Sequence, residues 1–189
     1  MELEAPFASS YKIERVDLPP RGCDVECGTE YGAFLDSLRI ETGKISYVLG
    51  VHSPKPGLKV RSGLYATPHP WRACIVARGT PFLGDTRVPS SFQEVHEAHG
   101  NVVSVLPLTR ASVLLLVTEG EIIAIDEGGV RWCSPRVAVD SVRVDGHDAS
   151  RVWGVADADW NPTPFTIDLA AGTCEGGSGM LGDSARESS

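Results

Sequence analysis

Cys23 and Cys27 stand in a C-x3-C spacing within a Gly-rich stretch, close enough for both thiolates to reach one zinc ion from a single loop. A tetrahedral site needs two more ligands, and the histidines at 52, 69, 96 and 99 are the side chains that would have to fold back to supply them. His96 and His99 are three apart with Glu97 between them, a separation that puts side chains on one face of a helix and suits metal or acid–base work. Cys23, Cys27, His96 and His99 are therefore the candidate metal ligands. Two plainer readings stand beside them. The cysteines are ordinary thiols, since no second Cys pair follows, and the histidines mark an exposed helical edge, since their spacing is not that of H-E-x-x-H.

Asp157, Asp159 and Asn161 match the first three ligand positions of a calcium loop, with Asp168 at the last. Pro162 stands where such a loop requires glycine, so the segment reads as a polar hairpin connection. No Gly-x-Ser-x-Gly elbow and no Gly-rich phosphate loop occur, and no catalytic or cofactor-binding residue is assigned. Of the four tryptophans, Trp160 lies between Asp159 and Asn161 in a turn. An exposed aromatic there suits a binding surface, which makes Trp160 the candidate contact residue.

The elements that must position these groups are short. Twenty Gly and 13 Pro cut the chain into runs that favour strands over long helices. Strands are expected over 11–16, 32–40, 44–51, 71–77, 102–108, 112–118, 121–126, 130–134, 136–145, 151–156 and 164–169. Phe165, Ile167 and Leu169 alternate with polar residues, the period of a half-buried strand. Val113 to Val117 is apolar throughout, as in a strand covered from both sides. Ser91 with Glu94 and Gly100 forms a capping box and a C′ glycine, which predict one short helix. The expected fold is all-β: antiparallel meanders in one or two packed sheets, with at most one or two short helices. Residues 1–10 are expected to be a flexible amino end, 11–175 a single domain with a break at 79–100, and 176–189 a disordered tail.

Within 112–177, Gly120, Ala124, Asp126, Gly129 and Trp132 follow a strand, Gly turn, Ala-x-Asp, Gly, Trp-bearing strand order. Asp168 and Gly172 repeat part of it. This resembles one blade of the quinoprotein-type β-propellers, and the same region is similar to uncharacterised bacterial all-β proteins. The resemblance implies propeller-like meanders and brings no catalytic residue with it.

The net charge of −8 repels phosphate polymers and anionic lipid, so neither nucleic acid nor a membrane is an expected partner. No apolar run approaches the ~20 residues of a membrane helix, and the acidic amino end lacks the features of a secretory leader. Five cysteines, odd in number and mostly far apart, read as reduced thiols, which points to a bacterial cytoplasm. The function expected is a non-catalytic protein-interaction module, inhibitor- or immunity-like. The alternative is a metal-assisted or carbohydrate-acting enzyme with a β-sheet cleft.

Overall fold

The computed structural model describes residues 3–53 and 61–179. They form strands joined by turns and four single-turn 3-10 segments. Sheet I holds β2 (Tyr11–Val16), β4 (Ala33–Thr42), β5 (Ser46–Ser53) and β3 (Val25–Cys27), in that order across the sheet. Sheet II holds β1 (Leu3–Glu4), β6 (Gly63–Ala66), β7 (Arg72–Ala77), β8 (Thr80–Asp85) and β9 (Gln93–Glu94). Sheet III is the meander β10 (Val102–Leu108), β11 (Val113–Thr118), β12 (Ile122–Asp126), β13 (Gly129–Cys133). Sheet IV is the meander β14 (Val142–His147), β15 (Arg151–Ala156), β16 (Thr163–Asp168), β17 (Cys174–Gly176). Pairing is antiparallel except at two edges, β1 on β6 and β3 on β5.

The all-β expectation holds, but four sheets replace the expected one or two. The reason is double-sided burial. In β11, Leu114 and Leu116 pack toward sheet II, while Val113, Leu115 and Val117 pack toward sheet IV. In β7, Cys74 and Val76 face sheet III while Ala73, Ile75 and Ala77 face sheet I. Strands apolar on both faces require a sheet on each side, and two such sheets in contact give a stack of four. The order is I, II, III, IV, with one apolar cluster in each of the three seams. Among the described residues no cluster joins sheet IV back to sheet I. The sheets are an open row, and the propeller-like expectation is corrected accordingly.

What survives of the blade resemblance is local turn chemistry, not a quinoprotein motif. Asp126 Oδ1 accepts the Gly128 N–H at 2.7 Å, and Gly129 takes φ 120°. Asp168 Oδ1 accepts the N–H groups of Ala170 and Ala171, and Gly172 takes φ 72°. Both are aspartate turns closed by a glycine in a conformation L side chains resist. The turns face different neighbours: the Glu127 carbonyl of the first accepts from Arg72 of sheet II at 3.0 Å, and the second meets sheet III at Trp132. The Trp132 ring lies against Gly172, where a Cβ would come within 2.7 Å of it, and its Nε1–H donates to the Leu169 carbonyl at 2.9 Å.

The segment 91–100 forms no α-helix. Ser91 Oγ accepts the Asp85 N–H at 2.8 Å and donates to the Asp85 carbonyl at 3.0 Å. The hydroxyl that would cap a helix is thus spent on the end of β8. Gln93 and Glu94 then pair with Leu83 and Phe82 as β9. Val102, on the far side of the expected break, packs in the same cluster as Tyr65 and Val76 of sheet II. At the amino end, Leu3 and Glu4 pair with Leu64 and Tyr65. Of the expected tail, residues 180–189 lie outside the described residues. Gly177 to Gly179 donate backbone N–H groups to the carbonyls of Pro164 and Val137.

Candidate functional site

The four candidate metal ligands do not form one group. Cys27 lies on β3 in the core between sheets I and II, 4% exposed, and burial, helped by Glu30, pushes its thiol up to about 12. Cys23, just before β3, is half-buried; burial and then Glu26 and Asp24 raise its thiol as well. Both are protonated at neutral pH and are poor nucleophiles as they stand. Among the described residues no set of three or more His, Cys, Asp or Glu side chains is arranged to hold a metal ion.

His99 meets partners that its sequence neighbourhood does not reveal. Its Nδ1 is 3.2 Å from Glu121 Oε2, and Cys133 Sγ reaches that same oxygen at 3.7 Å and the Glu97 carbonyl at 3.4 Å. Burial first, then Glu121, pushes the Cys133 thiol up to about 12. It remains a donor, and the cluster fastens the 97–99 loop to the edge of sheet III. On sheet I, His52 lies edge-on to Phe34 with its Nε2 3.5 Å from Glu26 Oε1. That approach is an electrostatic contact only, since neither ring nitrogen completes a hydrogen bond among the described residues.

Asp157 holds the best-organised polar site. It is fully buried at φ 50° in the turn after β15. Its Oδ1 accepts the N–H groups of Asp140 and Ser141 at 2.8 and 3.2 Å, and its Oδ2 accepts the Val139 N–H at 3.2 Å and the Ser178 hydroxyl. Burial pushes such a carboxyl up, but the Ser178 and backbone donors outweigh it and hold Asp157 below the usual carboxylate range. These partners fill the positions a calcium ion would need. They also explain part of why residues 136–141, expected as strand, are irregular: the N–H groups of Val139, Asp140 and Ser141 serve Asp157, and those of Val137 and Ala138 the Gly120 carbonyl, instead of a ladder.

Around this clamp two large apolar side chains stand out among the exposed polar groups of Asp140, Asp159 and Asn161. Trp160, whose N–H donates to the Asp157 carbonyl, is 61% exposed, and Val139 is 47% exposed. The outer face of sheet IV continues from there. Alternation along β15 turns Val152 and Ala156 to the core and Arg151, Trp153 and Val155 outward. Pro164 pairs with Val155 and Thr166 with Trp153 on that same face. Trp153 is 40% exposed, and its indole covers Gly146 of β14, where a side chain would collide with the ring. Arg143 with Asp145, Arg151, Asp168 and Glu175 surround this apolar centre.

The opposite end of the stack differs. On the outer face of sheet I, Lys12 bonds Glu14, and Glu14 bonds Arg39 at 3.0 Å across the β2–β4 pairing. Charges already neutralise one another there, and no tryptophan is present on these strands. Among the described residues, sheet IV is thus the end sheet that presents a tryptophan within a polar rim. Only the Trp160 part of it could be read from sequence; Trp153 and Val139 fall in segments patterned as plain strand. No protein-family model matches the chain, and no curated protein is similar to it in sequence.

Proposed function

We propose that the chain is a non-catalytic protein-interaction module, inhibitor- or immunity-like in action, whose contact surface is the outer face of sheet IV together with the Val139 and Trp160 loops. The supporting observation is the contrast between the two ends of the stack. One end sheet carries a row of ion pairs and no tryptophan, and the other presents a tryptophan-centred apolar patch with a charged rim, the anatomy of a protein contact. Size makes the loops part of it. The sheet face measures about 20 by 20 Å from strand spacing and rise, roughly 400 Å², half of the ~800 Å² per partner of a standard interface. The remainder must come from the rigidly held Trp160 and Val139 loops beside it. A reducing, cytoplasmic setting belongs to the same proposal and rests on the five unpaired cysteines.

The test is affinity capture from the native cell with the wild-type chain and with Trp153→Asp and Trp160→Asp. Trp160→Asp, in an exposed turn, should keep the wild-type melting midpoint within a few degrees, and Trp153→Asp, which uncovers Gly146, is compared at a temperature below its own midpoint. A partner retained by the wild type and lost by both variants supports the reading. Identical capture by all three would overturn it.

A further inference from the structure

A second site lies away from sheet IV, where the β4–β5 turn of sheet I meets the ends of β7 and β8. Thr42, Gly43, Lys44, Ile45, Trp71 and Arg87 line a groove of about 450 Å³, within the size range of small-molecule sites. Ile45 is 37% exposed into solvent beside it, and Trp71 supplies an aromatic wall. The Arg87 guanidinium stacks over the Trp71 ring at 5.3 Å. Asp85 grips it by one edge, through Nε at 3.0 Å and Nη2 at 2.6 Å, leaving the Nη1 donors unused by that carboxylate. Lys44, at the tip of the turn, makes no ion pair among the described residues. In a chain of net charge −8, the groove is lined by two cations and no acidic side chain.

The walls are fixed before any ligand arrives. The Trp71 carbonyl accepts the Thr86 N–H at 2.8 Å and the Thr86 hydroxyl at 2.9 Å, and the Trp71 N–H donates to His69 Nδ1 at 3.1 Å. The Tyr47 hydroxyl of sheet I donates to the Thr86 carbonyl at 3.2 Å, joining the two sheets behind the groove. Thr42 Oγ1 accepts the N–H groups of Lys44 and Ile45, at 3.4 and 3.2 Å, and sets the turn. Preorganised walls cut the ordering cost of binding.

We infer that this groove binds a small organic acid: an apolar, preferably aromatic body lying against Trp71 and Ile45, with its carboxylate paired to Arg87 and Lys44. The site is independent of the contact surface proposed on sheet IV. A bare phosphate would satisfy the cations and leave the apolar walls empty, whereas a neutral aromatic would leave Lys44 without a counter-charge and the Arg87 Nη1 donors unused, Asp85 holding only the other edge of that guanidinium.

The test is an amide-resolved NMR titration of the whole chain with phenylacetate, phenylacetamide, inorganic phosphate and N-acetylglycylphenylalanine. Phenylacetate is expected to give saturable shifts centred on residues 42–45, 71 and 86–88, and to bind about tenfold more tightly than phenylacetamide, one charge-assisted contact's worth. Lys44→Gln, an exposed turn substitution that leaves the Arg87–Trp71 stack in place, should weaken phenylacetate severalfold and leave phenylacetamide unchanged. Equal affinity for acid and amide, equal affinity for phosphate, or shifts centred elsewhere would each overturn the inference. Tighter binding of the peptide than of phenylacetate would assign the groove to a peptide carboxyl terminus and overturn the free-acid reading.

Discussion

Asp157 carries the candidate face without appearing on its surface. Asp157→Asn keeps the shape but turns an NH2 group toward donors that need an acceptor. The cost is expected to be about 2–3 kcal/mol at neutral pH, the range for leaving buried donors unsatisfied, read as a lowered urea midpoint. The pH dependence follows from a native pKa held below the unfolded one. The carboxylate's contribution is complete above the unfolded value of about 4 and is lost as pH falls through the lower native value. The gap between wild type and Asp157→Asn should therefore be constant from neutrality to about pH 5 and narrow below pH 4. A gap independent of pH would show that the ionised form is not what the clamp uses. In sequence, Asp157 reads as part of a polar hairpin connection, at the first position of a calcium-like spacing that Pro162 breaks. That its ligands are the chain's own N–H groups and Ser178 was not legible, because those partners lie 16 to 21 residues away.

At the scale of single elements, two tryptophans separate packing from exposure. Trp132→Ala should lose ~3–5 kcal/mol, the range for emptying a large aromatic site, because its ring fills the seam between sheets III and IV and its N–H is bonded. Trp160→Ala should stay within about 0.5 kcal/mol, as surface substitutions do. Equal denaturant midpoints would mean that the seam is not where the apolar clusters place it. Two glycines make a similar pair. A Cβ at Gly154 would meet the Arg143 carbonyl oxygen of the neighbouring strand at 1.9 Å, whereas one at Gly43 would meet nothing within 4 Å. Gly154→Ala should therefore cost at least the ~1–3 kcal/mol of an overpacked site, and Gly43→Ala should leave the melt unchanged. Strands with clean alternation or unbroken apolar runs were legible: 11–16, 102–108 and 151–156 coincide with β2, β10 and β15. Strand β8 was not, because Pro81 and Gly84 mark it as loop. Pro81 is tolerated because its carbonyl accepts the Val95 N–H while its own nitrogen has no donor to satisfy. Gly84 lies under the Phe92 ring, which covers the surface a side chain would otherwise supply. Sequence patterning names the strands of a two-sided sheet, but the number of sheets depends on which apolar face meets which, and that is settled between residues far apart in the chain.

For the molecule as a whole, the stack predicts a gradient of stability. Among the described residues each layer shares an apolar cluster only with its neighbours, so sheets II and III are covered twice and sheets I and IV once. Amides of β7, β11 and β12 are expected to exchange with solvent most slowly, near the global unfolding limit, while β2 and β14 exchange through smaller openings. Hydrogen exchange followed by NMR or mass spectrometry would check this, and uniform protection across all four sheets would contradict it. The path of the chain adds one further consequence. Strand β1 bypasses sheet I and pairs in parallel with β6 of sheet II, with Arg61 bonding Glu4 beside it at 3.1 Å. A pulling force applied at the amino end is therefore delivered to the second layer, not the outermost one. The parallel contact loads in shear, its backbone bonds sharing the tension, where an antiparallel edge would unzip one bond at a time. Sheet I, spliced between β1 and β6, is thereby shielded from the load until that two-residue splice gives way. The first joint to bear an amino-terminal load and the outermost layer beside it are different places.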